Sequence, residues 1–103
     1  MSLINIEIKY PRGTTDSRKR TLTKKLVTNI RRYCPRRTGK LQRSIRSSGL
    51  ERIIINRIYA SYADGYTRFV SRAINATTSR FYNITWIKIG YSRYRILIER
   101  KFI

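Results

Sequence analysis

Residues 16–33 read DSRKRTLTKKLVTNIRRY, and CPRRTGKLQRSI follows at once over residues 34–45. In the first stretch Leu22, Leu26, Val27, Ile30 and Tyr33 recur at the spacing of one helical face. Lys19, Lys24, Lys25, Arg31 and Arg32 fall mostly around that face. Asp16 is placed to cap the start of this helix. Arg31 and Arg32 in its last turn suit the helix dipole, and Pro35 prevents its continuation. The segment is therefore read as an amphipathic helix, and the flanking sequence supplies a sheet to receive its apolar stripe.

Upstream, Ile4, Ile6, Ile8 and Tyr10 alternate with Asn5, Glu7 and Lys9, the period of a half-buried strand, and Pro11-Arg12-Gly13 ends it as a turn. Downstream, residues 50–60 contain Ile53, Ile54, Ile55 and Ile58, a β-branched run that predicts a strand with both faces at least partly covered. Residues 61–76 place Tyr62, Tyr66, Phe69, Val70, Ala73 and Ile74 at helical spacing. Gly65 weakens that pattern, so a loop followed by a short helix is expected. Residues 81–89 and 94–102 form β-rich runs around Gly90-Tyr91-Ser92-Arg93 and read as a hairpin. The expected fold is one α+β domain over residues 1–103. It has an antiparallel or mixed sheet of about four strands packed on one main helix, with a second short helix allowed.

Composition then restricts function. The 103 residues carry 24 Lys+Arg against 5 Asp+Glu, a formal charge of +19, while 41% are hydrophobic and 12% aromatic. A chain of this length hides only about two-thirds of its unfolded surface, so the core is modest and works against strong self-repulsion. Such a balance points to a folded domain whose stability or assembly leans on a polyanion or an acidic partner. Arginine outnumbers lysine 17 to 7, and guanidinium forks suit phosphate and carboxylate better than ammonium does.

Catalysis is not expected. Without histidine, imidazole acid–base chemistry and His/Cys zinc sites have no basis. Scattered carboxylates argue against a two-acid hydrolase. Cys34 has no base to activate it and no partner for an internal disulfide, which fits a reducing compartment. Thr38-Gly39-Lys40 lacks the earlier glycine and the following Ser/Thr of a P-loop. No cofactor is anticipated. No apolar run is long enough for a membrane span, and the alternating N-terminus is unlike a signal peptide.

The chemistry that remains is electrostatic. Arg18, Lys19, Arg20, Lys24, Lys25, Arg31, Arg32, Arg36, Arg37, Arg43 and Arg46 cluster on the main helix and its exit. These are the candidate contacts to DNA or to acidic partners. Arg68, Arg72 and Arg80 make a second group, and Arg93, Arg95, Arg100 and Lys101 a third. The eight tyrosines suit subunit interfaces more than base stacking, and no base-reading motif is present. In the exit segment Pro35 fixes φ, Gly39 permits positive φ, and Thr38 can bond neighbouring backbone. Leu41 and Ile45 can then tuck under the core.

Pro35-x-x-Thr38-Gly39-x-Leu41-x-x-Ser44-Ile45 after a helix, and Tyr59-Ala60-Ser61-Tyr62-Ala63-Asp64-Gly65-Tyr66-Thr67 after a strand, follow a recognisable order. It resembles that of the small head-to-tail joining proteins of tailed bacteriophages, also called tail-completion, neck or minor capsid proteins. The likeness spans roughly residues 16 to 67. Arg37 stands where that family usually has an acid, and Tyr66 separates Gly65 from Thr67. The resemblance implies a structural virion protein, assembled in the host cytoplasm, whose copies form a ring of six or twelve between the portal or adaptor and the tail, around the DNA channel. Its expected partners are portal, adaptor or tail proteins, and genomic DNA held by non-specific electrostatics. Pro35, Thr38, Gly39, Leu41, Ser44 and Ile45 would shape a turn. Asp64, a rare acid beside Tyr59, Ala60, Tyr62 and Thr67, is expected to pair with an arginine of its own subunit or of the next. The competing reading is a small basic protein of ribosomal type, embedded in or bound to RNA or DNA without sequence specificity.

Overall fold

Ile4, Ile6 and Ile8 are almost fully buried along one side of β1 (Ile4–Lys9), and this strand is the centre of the sheet. The computed structural model describes residues 3–35, 39–57 and 60–101, apart from the side chains of 61 and 62. Arg36, Arg37, Thr38, Tyr59 and the side chain of Tyr62 therefore lie outside the described residues. After β1 come α1 (Asp16–Tyr33), α2 (Lys40–Arg43), β2 (Ile45–Ser47), β3 (Arg52–Ile55), α3 (Ala60–Thr67), α4 (Phe69–Ala76), β4 (Tyr82–Gly90) and β5 (Arg93–Arg100).

The fold is α+β, with a five-stranded sheet in the order β2-β3-β1-β5-β4. β1 runs parallel to β5, pairing Ile6 with Tyr94 and Ile8 with Ile96. The β1–β3, β2–β3 and β4–β5 pairs are antiparallel, so the sheet is mixed. The fifth strand, β2, extends the four expected. It occupies part of the basic connector, and Ile45 opposite Ile55 is its one buried side chain.

α1 starts one residue earlier than Asp16 would place it. Thr15 is the N-cap, its Oγ1 accepting the Arg18 N–H, while Asp16 supplies negative charge in the first turn. Leu22, Leu26 and Ile30 turn inward as their spacing requires. They join Ile6, Ile53, Ile55, Phe69, Val70, Ile74 and Ile96 in one core. Thr23 shares the buried face, its hydroxyl donating to the Leu50 carbonyl and bonding the Tyr10 hydroxyl. At about 1.5–3 kcal/mol for each large aliphatic side chain, this single layer is the main stabilising term.

The region expected to be a loop and a short helix is two helices. They meet at Arg68, whose φ of 56° is the left-handed conformation that stops α3. Gly65 sits inside α3 at an exposed position, so it does not break the helix. β4 forms one edge of the sheet and β2 the other. The register of β4 on β5 shifts between Lys88 and Gly90, a bulge that twists the end of the edge strand.

Candidate nucleic-acid interface

Of the turn after α1, the described residues are Cys34, Pro35 and those from Gly39 onward. The Cys34 N–H still reaches the Ile30 carbonyl, and the chain then leaves the helix at Pro35. Gly39 enters α2 with φ of 73°, a backbone state that favours glycine, although among the described residues beyond its chain neighbours nothing lies within 4 Å of where a β-carbon would stand. Leu41 and Ile45 are buried in the core. Ser44 Oγ donates to the Leu41 carbonyl at 2.6 Å. Two long side chains fasten this segment to the end of α1. Gln42 Nε2 donates to the Arg31 carbonyl at 3.0 Å, and Arg31 Nη2 to the Ile45 carbonyl at 2.7 Å. Among the described residues the turn is thus a structural clasp.

Each acid has a separate position. Asp16 lies in the first turn of α1. Glu7 stands between Arg95 at 3.3 Å and Arg52 at 4.0 Å on the sheet face away from α1. Glu51 holds Lys19 at 2.8 Å, and this hydrogen bond raises the Lys19 pKa. Glu99 is exposed on β5, opposite Asn83.

Within its own subunit Asp64 departs from expectation. Among the described residues it has no arginine partner. It is buried, its Oδ1 accepting the Val70 N–H at 3.1 Å and its Oδ2 accepting the Tyr94 hydroxyl. The carboxylate therefore caps α4 and ties it to β5. The expected arginine would have had to lose its hydration at a buried site, whereas a helix N-terminus and a phenol satisfy the charge locally. Burial, and then this hydrogen bond, push the Tyr94 phenol well above its ordinary pKa. The rest of the Tyr-Ala segment is divided between inside and outside, Gly65 and Tyr66 being exposed. Ala60 is buried and Thr67 Oγ1 donates to the Ala63 carbonyl.

The cations fall into two groups. Arg18 donates to the Tyr82 hydroxyl and lies over the Phe81 ring. Lys19 is paired with Glu51, and Arg31 anchors β2. Arg20, Lys24, Lys25, Arg32, Arg43 and Arg46 are exposed and have no ion pair among the described residues. No acid lies on α1 beyond its first turn, on α2 or on β2. On α1, Arg20 and Lys24 continue toward Arg31 along one ridge, and Lys25 and Arg32 along the next. Like charges at this spacing cost about 0.2–0.5 kcal/mol per pair, so the helix is stabilised by its buried face against its own surface.

The second and third basic groups are largely engaged. Arg72 covers the Tyr33 ring and Arg80 the Phe81 ring. Arg95 is held by Glu7, Arg100 donates to the Arg12 carbonyl, and Lys101 to the Ser79 carbonyl. Tyr82 and Tyr94 are buried and Tyr10 half-buried, which leaves Tyr66 and Tyr91 as the exposed tyrosines among the described side chains.

The other surface of note was not visible in sequence. Residues 73–92 contain two charges, Arg80 and Lys88. Apart from Tyr66, the exposed large hydrophobic side chains among the described residues, Phe81, Ile87, Ile89 and Tyr91, all lie there, on or beside edge strand β4. No group of three metal-ligating side chains occurs among the described residues, and none of their helices is long and apolar enough to cross a membrane. Compared with protein-family models, with curated proteins and with solved structures, the chain matches none of them.

Proposed function

We propose that the protein is a structural component of a tailed-phage virion, a head–tail connector or tail-completion protein. Its copies would close into a ring of six or twelve at the portal-to-tail junction, around the channel that DNA crosses. The observation that carries this reading is the division of one small domain into two surfaces. The acid-free cationic face of α1, α2 and β2 suits a polyanion. The charge-poor apolar edge at β4 suits protein.

A second +19 chain meets least repulsion where charge is scarce, and residues 73–92 are such a place. The two sheet edges differ, β4 being nine residues long and β2 three. The β4 edge of one copy set against a different surface of the next, outside its cationic face, is a heterologous contact, and heterologous contacts close into rings where the rotation between copies allows it. The clasp at Gly39, Leu41, Ser44 and Ile45, where the phage resemblance is strongest, also supports the reading, because its described residues organise the fold. Portal, adaptor or tail proteins would cover the remaining faces of the ring.

The deciding measurement is particle mass in moderate salt, with and without DNA. A discrete multimer that forms without nucleic acid is expected. A monomer that binds short RNA with strong sequence preference would overturn the connector, and a monomer that binds nucleic acid tightly without sequence preference would favour the ribosomal-type alternative.

A further inference from the structure

Between α1 and the β2–β3 connection runs a groove of about 450 Å³. Arg20, Lys24 and Arg31 line it from the helix and Arg46 from β2, with Thr23 and Ser47 between them. Among the described residues no carboxylate borders it. The neighbouring groove on the far side of Gly49 and Leu50 is different: it mixes Glu7, Asp16 and Glu51 with Lys9, Lys19 and Arg52. The same loop thus separates a balanced depression from a purely cationic one.

We infer that the cationic groove is a track for one phosphate backbone of duplex DNA. This deepens the DNA half of the preceding proposal. Arg20 and Arg31 are eleven residues apart on one helix, about 16 Å along the axis at 1.5 Å per residue. That length matches the rise of about five nucleotides of one B-form strand. Arg46 faces them from the other wall. Arg31 already donates through Nη2 to the Ile45 carbonyl, so one wall of the track is pinned before any ligand arrives. The cost of ordering that side chain has been met in folding.

The lining also selects among polyanions. Single strands are held by bases stacked on aromatic rings, and no aromatic side chain among the described residues lines this groove. Acidic protein segments generally add apolar anchors, whereas Val27 and Leu50 are the only large apolar side chains described here. Cations with short hydroxyls and a glycine suit a phosphodiester chain read without sequence.

The test compares two triple variants of equal formal charge, by fluorescence anisotropy with a short mixed-sequence duplex. In the groove variant Arg20→Gln, Lys24→Gln and Arg46→Gln are combined. In the control, Lys9→Gln, Arg12→Gln and Arg93→Gln remove the same charge from exposed positions elsewhere. At about 0.1 M salt the groove variant is expected to bind about a hundredfold more weakly, and its log–log salt slope to fall by about three. The control should stay within about threefold of the parent. Replacing Arg20 and Arg46 by lysine should retain most of the binding, which separates contact from fold.

Equal weakening in the two triples, or absence of duplex binding by the parent, would overturn the track. Displacement of duplex by polyglutamate at equal charge would assign the groove to acidic protein, and preference for a single strand would assign it to unpaired nucleic acid. A ring that forms without duplex binding removes the track and leaves the connector standing. A monomer that binds duplex through the groove does the reverse.

Discussion

Asp64 on α3 and Tyr94 on β5 share a buried hydrogen bond across 30 residues of sequence. The other oxygen of the same carboxylate accepts the Val70 N–H at the start of α4. One side chain thus closes a helix terminus and fixes that helix to the sheet. Asp64→Ala leaves a buried phenol and a buried N–H without an acceptor. The expected loss is about 3 kcal/mol in urea unfolding. Tyr94→Phe strips one donor from the carboxylate and should cost about 2 kcal/mol. The double variant should cost less than the sum, because both changes remove the same bond.

Stability should decline in alkali for a related reason. The Tyr94 pKa is raised by burial and by Asp64, and that of Tyr10 by burial. Folding therefore favours the protonated phenols. Their contribution is complete below the unfolded tyrosine value of about 10 and is lost as pH rises through the folded values. Melting temperature measured from about pH 8 to 11 should fall mainly above about 10. Tyr94→Phe should flatten that decline. A parent curve level across this range would contradict the assignment.

Gly39 tests the clasp. Its φ is 73°, and among the described residues, its chain neighbours aside, no atom lies within 4 Å of where a β-carbon would stand, so the penalty of substitution is mainly conformational. Gly39→Val should cost about 2 kcal/mol, since a β-branched residue resists the left-handed region. Gly39→Asn should cost under about 1 kcal/mol, because asparagine tolerates that region. If the valine variant unfolds as late as the parent, the turn is looser than its geometry implies.

The β4 edge yields a separate expectation. Ile87 and Ile89 are 45% and 41% exposed, so replacing both by lysine should change monomer stability by no more than about 1 kcal/mol. The same pair of changes should shift sedimentation from multimer to monomer. A double variant that still forms the multimer would move the contact between copies elsewhere.

α1 was legible because five apolar residues keep helical spacing over eighteen positions and Pro35 marks its end. β1 and the β4–β5 hairpin were legible from alternation and from β-branched runs. β2 was not, because three residues with one buried isoleucine carry no period. The break between α3 and α4 depends on Arg68 in a conformation that its residue type does not announce. The basic surface could be read only as clusters along the chain. Sequence placed Arg18, Arg20 and Arg31 on one helix, but only the fold shows Arg18 on Phe81, Arg31 bound to Ile45, and Arg20 facing Arg46 across a groove. The partners of Asp64 within its own chain were not legible for the same reason, since its phenol donor arrives from a distant strand.

The parallel pairing of β1 with β5 also sets a timetable for synthesis. Asn5 meets Arg93 in register, so the central seam of the sheet cannot form until the last strand has left the ribosome. Until then Ile4, Ile6 and Ile8 lack one neighbour, and the nascent chain presents an unfinished sheet alongside most of its positive charge. Contacts of such long sequence separation close slowly. The interval before β5 emerges is when the chain is most open to capture by RNA or by chaperones, and a polyanion present at that moment would act on folding as well as on assembly.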